Sequence, residues 1–402
     1  MSDGPGMGQV AVVKTTPETI LEDIEQVMKL AGMSEALPKG PTTGLKINIS
    51  WQTWYPACST APWQLEGAIL ALKNAGYQDL VGVHNDTVVV DTSVGEKNNK
   101  HRFVTDKHQI PCLYLYDQDF EWFEYKPKKP LLVLDKVYPE GVFIPRAIVG
   151  MNMIHLPTIK THVFTTITGA MKNAFGGLLH RDRHWTHGVI HDTLIDLLMI
   201  QKEIHPGLFA LMDGTFAGDG PGPRAMRWHQ KDILLASADQ VAIDAISAKL
   251  QGIDPMSLRF IRGAHELGLG IGDPKDIKIV GHDIESEPDW GFVQEDTFAS
   301  RGQKAIYHGA LKPLEKLLLR TPLVPWAYFA SNFYHNVYWY PFVGRKRVES
   351  ALQNPWGKLF QSYGDGEVVM PGMEPKTVIQ SMVGIAAAAA ALAGLRILRR
   401  RK

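Results

Sequence analysis

Residues 45 to 85 read LKINISWQTWYPACSTAPWQLEGAILALKNAGYQDLVGVHN, and the alternation in that stretch decides the fold. LKINIS (45–50) is a short apolar run of strand length, and DLVGVHN (79–85) is a second one. Between them PWQLEGAILALKNAGY (62–77) carries helical periodicity behind Ser59 and Thr60, which are helix-start residues. A strand, a helix and a strand in succession predict a mostly parallel sheet with helices on both of its faces.

Working outward, PCLYLYD (111–117), LLVLD (131–135) and RAIVGMNMIHLP (146–157) extend the strand series, with helical patterns near 98–109 and 163–174. A helix is expected at 188–204, strands at 208–213 and 232–236, a helix at 239–252 and a last strand at 276–281. These bounds give an α/β core over 42–285. Residues 1–41 read as an N-terminal helical cap, a helix from Pro17 to Met33 inside flexible flanks.

Past the core the composition shifts. Residues 286–376 form a helical, aromatic-rich region in which 324–343 hold nine aromatics in twenty, followed by Arg345, Lys346 and Arg347. Rings beside cations suit a membrane interface, and a core helix packed on the main body is the competing reading. Within 377–402, the uncharged run 378–395 precedes RILRRRK and would extend about 27 Å as a helix, close to one hydrocarbon core. It reads as a C-terminal hydrophobic tail helix and anchor, with a surface-lying or partner-packed helix as the alternative because seven of its residues are alanine. The basic end conflicts with a cytoplasmic body on a single span, which a shallow attachment resolves.

Lys plus Arg and Asp plus Glu balance at 42 each, so a general nucleic-acid binder is not expected. Cys58 and Cys112 are the only cysteines, too few for the ligands of an iron–sulfur cluster, and are expected to be free thiols. The first twenty residues lack the basic start and apolar run of a secretory signal, so the body is expected to be cytoplasmic.

Five of the fifteen histidines fall between His162 and His191. His180, His184, His187 and His191 share one face if that stretch is helical, a geometry that can converge on a divalent metal or on an anion. Arg181 and Arg183 beside them favour carboxylate or phosphate, and a solvated basic loop is the bland alternative. In TTITGAMKNAFGG (165–177), Lys172 stands among small residues before Gly176 and Gly177, where a backbone can approach a ligand closely. Lys160 and His162 follow Pro157 at the end of an apolar strand, the ligand-facing end of an open α/β sheet. DGTFAGDGPGP (213–223) offers Asp213, Gly218, Asp219 and Gly220 either as an anion-cradling turn or as a plain turn between strands. Thr60 stands where a helix N-terminus could receive an anion, or merely caps it. His84 ends a strand, while Asp239 and Asp244 read as a helix cap and a helix-face residue.

NISWQTWYPACSTAPW, MNMIHLPTIKTH, TGAMKNAFGG, DGTFAGDGPGP, LLASADQVAIDAISAKLQGIDP and GLGIGDPKDIKIVG, in that order, resemble the family called domain of unknown function 362 over roughly residues 44–281. Many members carry ferredoxin-type cysteine motifs that this chain lacks, so no iron–sulfur cluster is expected. A shorter similarity is to the nickel-pincer lactate racemase family, whose pattern G-x-x-K-x-x-x-P-G matches Gly169, Lys172 and Gly177, with Gly176 in place of the proline. That resemblance implies a cofactor held by Lys172 and a metal ligated by His184 or His187.

Two functions are therefore expected. One is a membrane-attached enzyme that binds a small anionic substrate or cofactor, with Lys172, His162, His184 and His187 as acid/base groups or metal ligands. The other is a non-catalytic ligand-binding or assembly subunit of a membrane complex.

Overall fold

The computed structural model describes residues 4–85, 90–116, 120–179, 181–309, 312–314, 331–371 and 386. It falls into two compact units, residues 1–295 with 348–369, and residues 296–347 with 370–402.

The first unit is built on a mostly parallel sheet. Its strands are β1 (Gln9–Lys14), β2 (Thr43–Ile47), β3 (Leu80–His84), β4 (Cys112–Tyr114), β7 (Asn152–Leu156), β8 (Thr158–His162), β9 (Thr166–Ile167), β10 (Leu208–Asp219), β11 (Arg227–Ser237) and β12 (Lys278–Gly281), with β5 (Trp122–Tyr125) and β6 (Val142–Pro145) forming a separate ribbon. The order is β12-β1-β11-β10-β7-β2-β3-β4, with β8 on β10 and β9 on β8. From β10 to β4 every neighbouring pair is parallel, while β11 runs antiparallel to both β1 and β10.

Chain order reverses between β2 and β7. From β2 the chain proceeds to β3 on one side, and from β7 to β10 on the other. Parallel strands end together, so the ends of β2 and β7 form a switch point, the usual ligand position in open α/β sheets.

The helix Pro62–Asn74 starts on its proline at the first turn and is buried on nearly all sides. The reason is a second helix, Ile20–Leu30, whose Ile24 packs so closely that a Cβ on Gly67 would lie 2.6 Å from its Cδ1. Residues 1–41 are therefore not a separate cap. QVAVVK forms β1, pairing Ala11 with Ala236 and Val10 with Ile279, and it joins β11 to β12.

Other expectations shift. LLVLD gives the helical turn Leu134–Val137 rather than a strand. The helix expected at 163–174 is reduced to Ala170–Asn173 and Phe175–Leu178, because Thr166–Ile167 pairs back onto β8. Residues 98–109 are covered by two helices, Thr92–Asn98 and His101–His108.

The α/β body does not stop near residue 285. Residues 348–369 return to it, where Phe360 stacks on Trp54 at 4.5 Å and Trp356 lies 5.4 Å from Trp63. Trp356 is fully buried, and its indole N–H donates to Asp232 at 2.6 Å. Trp356→Ala is expected to cost about 3–5 kcal/mol, read as a shift in the denaturation midpoint. A variant with the parent midpoint would show that this segment does not belong to the core.

Among the described residues no helix is long and apolar enough to cross a membrane. Of the expected tail helix at 378–395, all but residue 386 lies outside the described residues.

Candidate functional site

At the switch point β2 and β7 pair Lys46 with His155. Lys46 is 6% exposed, and its Nζ donates to the Ile47 carbonyl at 2.5 Å. One continuation beyond Pro157, β8, pairs Thr158 with Asp213 and Lys160 with Gly218 of β10. Lys160 is 1% exposed, and its Nζ donates to the Thr158 hydroxyl, which in turn donates to the Ala57 carbonyl at 2.8 Å. Arg224, at 7% exposure, donates to the Ser50 carbonyl at 2.8 Å from the turn between β10 and β11. Buried Arg183 and half-buried Lys172 complete the group.

These cations act on one another. Burial lowers Lys46 to about 7, and the Arg183 guanidinium adds to the fall. Burial lowers Lys160 to about 7, with Lys172 adding to it and Cys58 and Asp213 opposing. Lys172 falls to about 8 through burial and Arg183. Asp213 is the carboxylate set against Lys160. It receives the Trp63 indole N–H at 3.2 Å and the Thr215 amide at 2.7 Å, and burial still raises it to about 6. Among the described residues, none of Lys46, Lys160, Lys172 and Arg224 has a carboxylate within 4.0 Å.

Such lysines make stability depend on pH. Between about 7 and 10.5 the folded Lys46 and Lys160 carry fewer protons than their unfolded forms, and Lys172 does so above about 8. Stability of the ligand-free protein therefore rises with pH across that window, by up to about 1.4 kcal/mol per unit for each lysine. Denaturant midpoints measured from neutral pH upward test this, and a flat profile counts against uncompensated cations.

Lys172 is held by its neighbours. The carboxylate of Asp244, raised to about 7 by burial, accepts the amides of Ala170 (2.6 Å) and Met171 (3.1 Å) at the start of its short helix. Asp244 is thus more than a helix-face residue, whereas Asp239 caps Gln240–Leu250 as expected. Gly177 serves the protein before any ligand: a Cβ there would lie 2.8 Å from Cε of Lys46, and one on Gly176 3.8 Å from Nζ.

The histidines separate. Residues 181–189 form a 3-10 helix, and the α-helix begins only at Ile190, so no four-histidine face exists among the described residues. His180 lies outside the described residues, as does the side chain of Arg181. His191 stacks on Phe260 at 5.8 Å, and His184 meets Trp185 edge-on at 6.2 Å. His187 stays with the cations, between Phe164 (5.1 Å) and Phe175 (5.6 Å). Its Nδ1 donates to the His184 carbonyl at 2.9 Å, leaving Nε2 as the basic nitrogen, and burial lowers the ring to about 4, so it is neutral at pH 7. His162 accepts the Phe164 amide at Nδ1 (3.2 Å), which ties it to the turn after β8. Among the described residues no group of three or more His, Cys, Asp or Glu could hold a metal ion.

The remaining candidates are structural. DGTFAGD is the far half of β10 rather than a turn. Asp219 is engaged by Arg227 at 2.6 Å and His229 at 2.8 Å, which bring it to about 2 although burial opposes them. Gly218 fits beneath Met226, whose Sδ would lie 2.7 Å from a Cβ. The Gly220 carbonyl accepts the Thr161 hydroxyl at 2.8 Å. Thr60 does not cap its helix: its hydroxyl donates to the Leu156 carbonyl (2.6 Å) and accepts the Asn48 amide (2.8 Å), joining the ends of β2 and β7. His84 pairs with Glu96 elsewhere, supported by Tyr114. Cys58 and Cys112 are free, and burial raises each thiol to about 11.

Two cations escaped the sequence reading. Lys46 carried a signal, an ionisable residue inside the apolar strand LKINIS, whereas Arg224 in a glycine- and proline-rich turn carried none.

Comparison with known proteins gives three findings. The family model described as Domain of unknown function (DUF362) matches residues 43–249. A stretch of 121 residues is 30% identical to a thylakoid-associated protein of Synechocystis, covering 29% of this chain and 37% of that protein's length. No solved structure matches the chain.

Proposed function

The chain belongs to the DUF362 family, and from that premise we propose that it is a membrane-associated enzyme acting on a small anionic substrate or cofactor bound among Lys46, Lys160, Lys172, Arg183 and Arg224. The observation that carries the reading is that Lys46, Lys160 and Arg224 are buried and Lys172 is half-buried with, among the described residues, no carboxylate within 4.0 Å of any of the four. An uncompensated buried charge costs several kcal/mol, and a carboxylate or phosphate would remove that cost. The lysines near neutrality and neutral His187 supply the acid and base groups such a reaction needs. Membrane association draws support from the thylakoid-associated relative, and attachment through a helix at 378–395 remains part of the proposal.

A non-catalytic binding subunit would share the anion site, so binding and turnover are tested apart. Calorimetric titration with inorganic phosphate, pyrophosphate and a dicarboxylate is expected to show saturable binding with proton uptake at neutral pH, as an anion raises the lysine pKa values. Lys172→Ala should weaken binding about tenfold or more. No binding by any of the three anions counts against the site. An undiminished phenotype for a folded His187→Ala variant that still binds the anions would remove the enzyme and leave the binding subunit.

A further inference from the structure

The second unit carries an aromatic ladder. Phe333–Gly344 is a π-helix, and in it Tyr334 lies 5.9 Å from Tyr338, which lies 6.2 Å from Phe342. Four-residue steps nearly complete one π-turn, so these rings line one side. That side is open: Phe333 is 47%, Tyr338 60% and Phe342 72% exposed, with Val343 also exposed. Asn336, Trp339, Tyr340 and Gly344 are buried. The sequence left open whether these rings fill a core or meet a membrane, and their exposure separates the ladder from the buried Trp339 and Tyr340.

Immediately after the rings, Arg345 and Lys346 are exposed, and Arg347 reaches back over the Trp339 ring at 5.6 Å. Exposed rings that end in exposed cations match a surface with an apolar interior and an anionic face.

We infer that the stripe Phe333–Tyr338–Phe342–Val343, with Arg345 and Lys346, is an interfacial docking surface for an anionic lipid bilayer. The phenylalanine rings and the Tyr338 ring, whose hydroxyl can stay hydrated, enter the headgroup boundary, and the cations pair with lipid phosphates. The surface lies within the described residues. The inference rests on the membrane-associated reading and names the surface that makes the contact.

The test uses the full chain with Cys112→Ser, labelled with an environment-sensitive fluorophore at Val343→Cys or, as a control, at exposed Glu140→Cys. Vesicles of phosphatidylcholine with phosphatidylglycerol are added, and flotation and probe emission are read together. Flotation is expected, with a blue shift at 343, quenching there by brominated lipid, and no shift at 140. Lys346→Glu should weaken the shift about fivefold or more, and Tyr338→Ser with Phe342→Ser about tenfold or more. Failure of the protein to float would overturn both the membrane reading and this surface. Flotation with an aqueous probe at 343 would overturn this surface alone. A lipid-independent blue shift that grows with protein concentration would also overturn it, by showing self-association.

Discussion

Replacing Lys160 by methionine is expected to raise the melting temperature of the ligand-free protein and to abolish its response to anions. Lys160 is 1% exposed, and among the described residues its ammonium makes a single hydrogen bond, to Thr158. The Thr158 hydroxyl keeps its own acceptor at Ala57, so methionine leaves no buried donor without a partner. Apolar replacement of a buried charge stabilises by about 1–4 kcal/mol, while loss of an anion's buried partner costs about a hundredfold in affinity. Stability and binding should thus move in opposite directions. Paired melting curves with and without pyrophosphate read both, and a destabilised variant that still binds would falsify the anion site as drawn.

Gly222→Ala is the second large effect. A Cβ there would lie 1.9 Å from the Thr161 carbonyl oxygen and 2.8 Å from its carbon. Both are backbone atoms of β8, and the Gly222 carbonyl also accepts the Val163 amide at 3.1 Å. Relief requires moving the turn away from the strand, which displaces Arg224 two residues on. A loss of about 3 kcal/mol or more is expected, with weakened anion binding in whatever fraction folds. An unchanged denaturation midpoint would show that the turn can move freely.

Part of the site was legible because chemistry and local pattern coincide there. Lys160 and Lys172 stand beside apolar strand residues and small residues, and the structure places them in one charged group with Asp213. His180, His184, His187 and His191 illustrate the opposite case. Their spacing implied one face only for an α-helix, and the 3-10 winding of 181–189 removes that face. In that segment Trp185 packs on Tyr138 and His187 between Phe164 and Phe175, long-range contacts that local sequence does not encode. Gly218 illustrates a related ambiguity: it permits tight strand packing under Met226 as readily as a ligand cradle.

The sequence by itself determined the α/β class, the family and the strands around the switch point, because hydrophobic periodicity and ordered motifs are local properties read residue by residue. Tertiary structure alone decided that QVAVVK closes the sheet, since strand pairing joins Ala11 to Ala236 across the chain. It also decided that residues 348–369 return to the core and that Lys46 and Arg224 are buried near Lys160 and Lys172. Burial and charge compensation arise only when distant segments meet, so whether a lysine has a carboxylate within reach is not written in its chain neighbours.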